Sequence, residues 1–119
     1  MAIERPDGTY DAIYCHYDGY VKDGVGEVLY TCYNDRDSAD EIISLGNRRA
    51  LYGRPLNDPE YLYENEPYIK LKDLDELKKA LEGINFLYIW GLDDKWRVIT
   101  ESWWRGHETK TQLLQEFFK

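Results

Sequence analysis

The strongest constraint on the fold is a pair of runs rich in aromatic and β-branched residues. They are Phe86-Leu87-Tyr88-Ile89-Trp90 and Trp96-Arg97-Val98-Ile99-Thr100, separated by Gly91 to Lys95. Such residues suit a pleated, half-buried surface, and a loop of that length closes an antiparallel hairpin. Ser102-Trp103-Trp104-Arg105 then continues or bends the second strand. A second hairpin signal opens the chain. In Arg5-Pro6-Asp7-Gly8 the proline presets φ and the glycine accepts positive φ. Ala2 to Glu4 and Thr9 to Tyr17 form its two arms.

Between the hairpins the pattern turns helical. Val25, Val28, Leu29, Cys32 and Tyr33 recur on one face, with Asp23 placed to cap the start. A second helix is expected from Ser38, with Ser38 and Glu41 in capping-box spacing, Ala39, Ile42 and Ile43 inward, and Gly46 as the stop. A third runs from Asp73 to about Glu82 on Leu74, Leu77 and Leu81, ended by Gly83. A fourth, capped by Thr109 and Gln112, presents Leu113, Leu114, Phe117 and Phe118. Residues 47–70, punctuated by Pro55, Pro59 and Pro67, are expected to be a long, partly ordered connection. The order ββαα–loop–αββα predicts one α+β domain over 1–119. It is expected to hold one antiparallel sheet of about four strands, covered by about four helices.

Charge narrows the function classes. The net charge is −8. Residues 1–47 hold ten acids against three bases, and residues 48–119 hold thirteen against twelve. Such a field repels phosphates, so direct DNA or RNA binding is disfavoured, while a basic, nucleic-acid-handling protein is an allowed partner. No apolar run approaches the ~20 residues that span a bilayer, and Met1 to Gly8 holds no apolar signal-peptide core. The expected address is the cytoplasm. Cys15 and Cys32 are spaced like neither a zinc knuckle nor a redox pair and are expected to be buried thiols.

Few residues suggest chemistry. His16 and Asp18 with Cys15 admit an acid–base pair or, with Cys32 or Asp23, a metal site. On a strand, however, 16 and 18 point one way and 15 the other, and His107 is remote. The bland alternative is that His16 and Asp18 order the following loop. Gly24-Val25-Gly26 before a helix admits an anion at backbone N–H groups, or simply a tight turn; no GxGxxG or Gly-Lys-Ser/Thr pattern accompanies it. Trp90 and Trp96 are expected in the core, whereas of the neighbours Trp103 and Trp104 one is free to face a partner.

The run Asp7-Gly8-Thr9, Ile13-Tyr14-Cys15-His16-Tyr17-Asp18-Gly19-Tyr20, Gly24-Val25-Gly26, Leu29, Tyr33, Asp35, Ile42-Ile43-Ser44-Leu45-Gly46 and Leu51 resembles a family of small bacteriophage and mobile-element proteins. That family carries a YCHxDGYxxxVG…LIxLG block. The likeness spans about residues 7–53. It departs at Tyr17, where tryptophan is common, at Tyr33, which lacks the frequent preceding histidine, and at Asn47-Arg48-Arg49-Ala50, where relatives often read Asp-Ile-Ser-Ser. The family has no settled activity. The resemblance implies an accessory protein, without cofactor or metal, that binds and inhibits a host protein such as a CRISPR or other defence component.

In that reading the acidic face, Asp35, Asp37, Asp40, Glu41, Asp58, Glu60, Glu64 and Glu66, covers a basic surface, in part by DNA mimicry. A homodimer is allowed. The alternative is a protein that sequesters a nucleotide signal, using His16, Asp18, Tyr20, Gly24, Gly26, Arg48 and Arg49. An enzyme built on His16 with Asp18 or Cys15 ranks last.

Overall fold

The computed structural model describes residues 1–17, 19–52, 55–80, 86–100 and 111–118. Its strands are β1 (Ala2–Glu4), β2 (Tyr10–Ala12), β3 (Ile69–Leu71), β4 (Phe86–Trp90), β5 (Trp96–Thr100) and β6 (Thr111–Leu113). Its helices are α1 (Val25–Cys32), α2 (Arg36–Ser44) and α3 (Leu74–Ala80), with 3-10 turns at Pro59–Tyr61 and Leu114–Phe118.

Both expected hairpins are present. β1 pairs antiparallel with β2, and β4 with β5 in the register Phe86↔Thr100 to Trp90↔Trp96. The expected four-stranded antiparallel sheet is not: the sheet has six strands in the order β3-β2-β1-β4-β5-β6. It is mixed, because β1 lies parallel to β4, with Ala2 opposite Ile89 and Ile3 opposite Trp90. A parallel pair needs a long crossover, and the helical middle of the chain supplies it. β3 and β6 extend the two edges. Each is three residues long, too short for alternation to show in sequence.

The helices also differ from expectation: three α-helices form among the described residues, not four. Where a C-terminal helix was expected, Thr111–Leu113 pairs with β5 and only a 3-10 turn follows. Leu114 still docks, at 1% exposure. α2 begins at Arg36, because Asp35 rather than Ser38 is its cap: Asp35 accepts from the Ser38 N–H at 2.7 Å. α1 starts from Gly24 with no side-chain cap, and Asp23 instead takes φ of 59°. Leu81 and Gly83 lie outside the described residues, as do Thr109, Trp103, Trp104 and His107.

Alternation along the strands divides the core between two faces. On one face Ile3, Tyr88, Trp90, Trp96 and Val98 meet α1 and α2 through Val25, Leu29, Ala39, Ile42 and Ile43. On the other, Ala2, Ala12, Leu71, Leu87, Ile89 and Ile99 meet α3 through Leu77. Trp90 and Trp96 are buried as expected, with their rings edge to face at 5.3 Å. The Trp96 indole donates to the Tyr33 carbonyl at 2.9 Å. Cys32 is exposed and Cys15 half-buried, so neither is the fully buried thiol expected. No helix among the described residues is long and apolar enough to cross a membrane.

Candidate functional site

Three extended segments outside the main sheet build the surface around His16. Residues 14–17, 47–49 and 61–63 lie side by side, with Cys15 bridged to Arg48 and Arg48 to Leu62. The His16 N–H donates to the Arg48 carbonyl at 3.1 Å, and the Tyr17 N–H to Arg49 at 2.7 Å. On the far side the Tyr63 N–H donates to Asn47 at 3.1 Å. The stretch expected to be irregular therefore contributes a central and an outer strand-like segment.

Extended backbone alternates, and this alternation sorts the side chains. Arg48 points inward, at 1% exposure. Its Nε donates to the Ala50 carbonyl at 2.7 Å and its Nη2 to Leu56 at 3.2 Å. Burial pushes its guanidinium below the ordinary arginine value. Tyr14, His16 and Arg49 are exposed, and Tyr61 and Tyr63 half-exposed. The Tyr14 hydroxyl lies 3.4 Å from His16 Nδ1, and the Tyr17 ring meets the imidazole edge to face at 4.3 Å. The Arg49 guanidinium sits over the Tyr63 ring at 4.5 Å, and Tyr52 meets Tyr61 edge to face at 5.5 Å. The result is an outward surface of tyrosines, one histidine and one guanidinium.

Of the residues considered for a ligand, His16 and Arg49 come to one surface and Arg48 lies beneath it. Asp18 is outside the described residues. Tyr20 is exposed and its ring meets Phe86 edge to face at 6.3 Å. Gly24 is the extended N-cap of α1, and Gly26 serves packing. A Cβ at Gly26 would meet the Val21 Cα at 2.7 Å and the Tyr88 hydroxyl at 3.1 Å. The Gly26 N–H already donates to the Tyr20 carbonyl at 3.0 Å, and Glu27 stands in the first turn of α1. Both disfavour an anion there. The cavity beside Tyr14, Cys15 and Tyr88 measures about 30 Å³, the space of a water molecule. Among the described residues, no three histidine, cysteine or acidic side chains are placed to share a metal.

The expected acidic face divides into two groups. Asp35, Asp37, Asp40 and Glu41 ride on α2. Asp58, Glu60, Glu64 and Glu66 lie along the segment that passes its C-terminal end, where the Asn47 N–H donates to the Glu66 carbonyl at 2.9 Å. Four are occupied with structure. Asp35 caps α2, Asp58 accepts from the Glu60 N–H at 3.0 Å, and Asp40 pairs with Arg5 at 2.8 Å. The Glu66 carboxylate accepts from the Asn47 amide at 3.1 Å. Asp37, Glu41, Glu60 and Glu64 are exposed and take part in no ion pair among the described residues.

Two features escape a reading of the sequence. One is the tyrosine surface, whose members are scattered over fifty positions and meet only through the 14–17, 47–49 and 61–63 pairing. The other is Asp11, 3% exposed at the centre of an ion cluster. Arg5 Nε and Lys70 Nζ each reach its carboxylate at 2.8 Å, and Arg5 also holds Asp40, tying β2 to α2. Burial would raise the Asp11 carboxyl, but the Lys70 and Arg5 charges outweigh it and hold the group below its ordinary value. A third site lies on the α3 face: an open groove of about 440 Å³ between Tyr10, Leu74, Ile89 and Arg97.

No protein-family model, curated protein or solved structure matches this chain.

Proposed function

We propose that this protein performs no chemistry and acts by binding a partner protein, covering a basic, nucleic-acid-handling surface. The observation that supports the reading is the exposed set Asp37, Glu41, Glu60 and Glu64, in no ion pair among the described residues, in a chain of net charge −8. Exposed carboxylates give long-range steering toward a basic patch and add complementarity on contact. The finer reading, a phage-type inhibitor of a host defence component, rests on the resemblance of residues 7–53.

The test is affinity capture from the producing cell, followed by measured affinity of the reconstituted pair. Affinity is expected to fall steeply with salt and to drop at least tenfold when Asp37, Glu41, Glu60 and Glu64 are all changed to lysine. A partner whose affinity ignores both salt and charge reversal overturns the proposal.

A second reading, nucleotide sequestration, is favoured by one contact. The Tyr17–Arg49 hydrogen bond brings the exposed imidazole of His16 and the Arg49 cation to one surface. Nucleotides and cyclic oligonucleotides would then raise the melting temperature by mass action. No shift at high excess removes this reading.

A further inference from the structure

We infer that the tyrosine surface around His16 and Arg49 is the docking centre for an extended, lysine- or arginine-bearing segment of another protein. The inference rests on the proposed partner-binding function and names the place and the chemistry of contact.

Exposure is the first observation. Tyr17 is 55% exposed, Tyr52 46% and Tyr14 39%; Tyr14 and Tyr17 lie against His16, and Tyr52 against Tyr61. Large exposed aromatic groups gathered together mark interaction sites more often than scattered ones do. Tyrosine supplies broad contact at little entropic cost, since only two torsions are fixed. The rings here are already held by one another and by His16, so binding orders little that is not ordered beforehand.

Charge selects the occupant. The outer segment runs through Asp58, Glu60, Glu64 and Glu66, with no base from 58 to 66. Glu60 and Glu64 flank Tyr61 and Tyr63 directly. Ring faces attract cations, and carboxylates beside them complete a site for ammonium or guanidinium groups. The surface already seats one such group, Arg49 over Tyr63 at 4.5 Å. That internal contact shows the geometry the tyrosines offer. It also predicts a signature: Arg49 competes with an incoming cation.

The probe is hexa-arginine, titrated into labelled protein and followed by amide chemical shifts. Shifts are expected in residues 14–17, 47–49 and 61–63. Tyr14→Ala with Tyr61→Ala is expected to weaken binding at least tenfold, whereas Tyr68→Ala, another exposed tyrosine, leaves it unchanged. Arg49→Ala is expected to strengthen it, an effect that a merely structural arginine would not give. Shifts spread over all acids, or tyrosine variants without effect, overturn the inference. If carboxylate reversal still abolishes capture of the natural partner in that case, the proposed function stands and only this surface is wrong. If the tyrosine variants abolish capture while charge reversal does not, the acidic mechanism fails instead. Shifts with ATP and none with hexa-arginine assign the surface to nucleotides and overturn it as well.

Discussion

Leu77→Ala tests whether the two faces of the sheet are separate cores. α3 has seven residues, about half the length at which a helix holds alone in water. Its start is capped, Asp73 accepting from the Glu76 N–H at 2.8 Å, with acids in the first turn and lysines in the last. Its grip on the sheet among the described residues, however, is one buried side chain, Leu77, at 0% exposure, supported by the half-buried Leu74. Truncation removes three carbons. At about 0.8 kcal/mol per buried CH₂, the transfer loss is about 2.4 kcal/mol. A short helix on an open face settles into the gap, so the cavity penalty is small and the total is expected near the bottom of the usual range of about 2–5 kcal/mol. For a chain of this size that lowers the melting temperature by about 10 °C. Leu29→Ala, enclosed between α1, α2 and the sheet, is expected near the top of the range. Urea denaturation gives both values, and hydrogen exchange locates them. Leu77→Ala is expected to release the amides of α3 and β3 while those of α1 and α2 stay protected. Equal losses for the two variants, or protection lost evenly across both faces, would refute the two-core account.

Other outcomes follow from single contacts. Gly26→Ala places a Cβ 2.7 Å from backbone at Val21, so it should destabilise by about 1–3 kcal/mol despite alanine's better helix propensity; a neutral urea midpoint would contradict this. Tyr88→Phe removes the 2.6 Å bond to the Gly19 carbonyl and should cost about 0.5–1.5 kcal/mol, with faster proteolysis confined to residues 19–24. Asp11 titrates below its unfolded value of about 3.9, so its stabilisation is present above that pH and is lost as pH falls through the lower folded value. Asp11→Asn should thus be less stable than the parent at pH 7, and the gap in melting temperature should narrow below about pH 4; a constant gap would show that the ion cluster is not what holds the turn.

Much of the sheet was legible because its signals are local. The turn Arg5-Pro6-Asp7-Gly8 and the run from Phe86 to Thr100 each declare a hairpin, and the structure has both. The parallel contact of β1 with β4 joins positions more than eighty apart and leaves no pattern in either strand. β3 and β6 are hidden differently. Ile69 is 48% exposed on an edge, so it lacks the buried alternation that marks a strand. Thr111–Leu113 precedes Leu114, Phe117 and Phe118, whose spacing imitates a helix while the backbone makes only a 3-10 turn. For the site, composition pointed to acids, and four of those eight proved to be engaged in caps, an ion pair or an amide contact. The tyrosines between 52 and 63 gave no periodicity, because they meet one another and the 47–49 segment across a fold of the chain rather than along one helix or strand.

Arg48 has a consequence for how this surface tolerates substitution. It grips Ala50 and Leu56 from below and sets the path of the chain on which Arg49, Tyr52 and the outer tyrosines stand. Arg49, at the exposed surface, lies over the Tyr63 ring, so its side chain is expected to change without disturbing the frame. The hidden guanidinium has no such freedom. Lysine lacks the fork that reaches two carbonyls, and an apolar replacement strands them both. Substitutions on the outside are thus expected to change the chemistry of the surface while the one concealed residue keeps its shape.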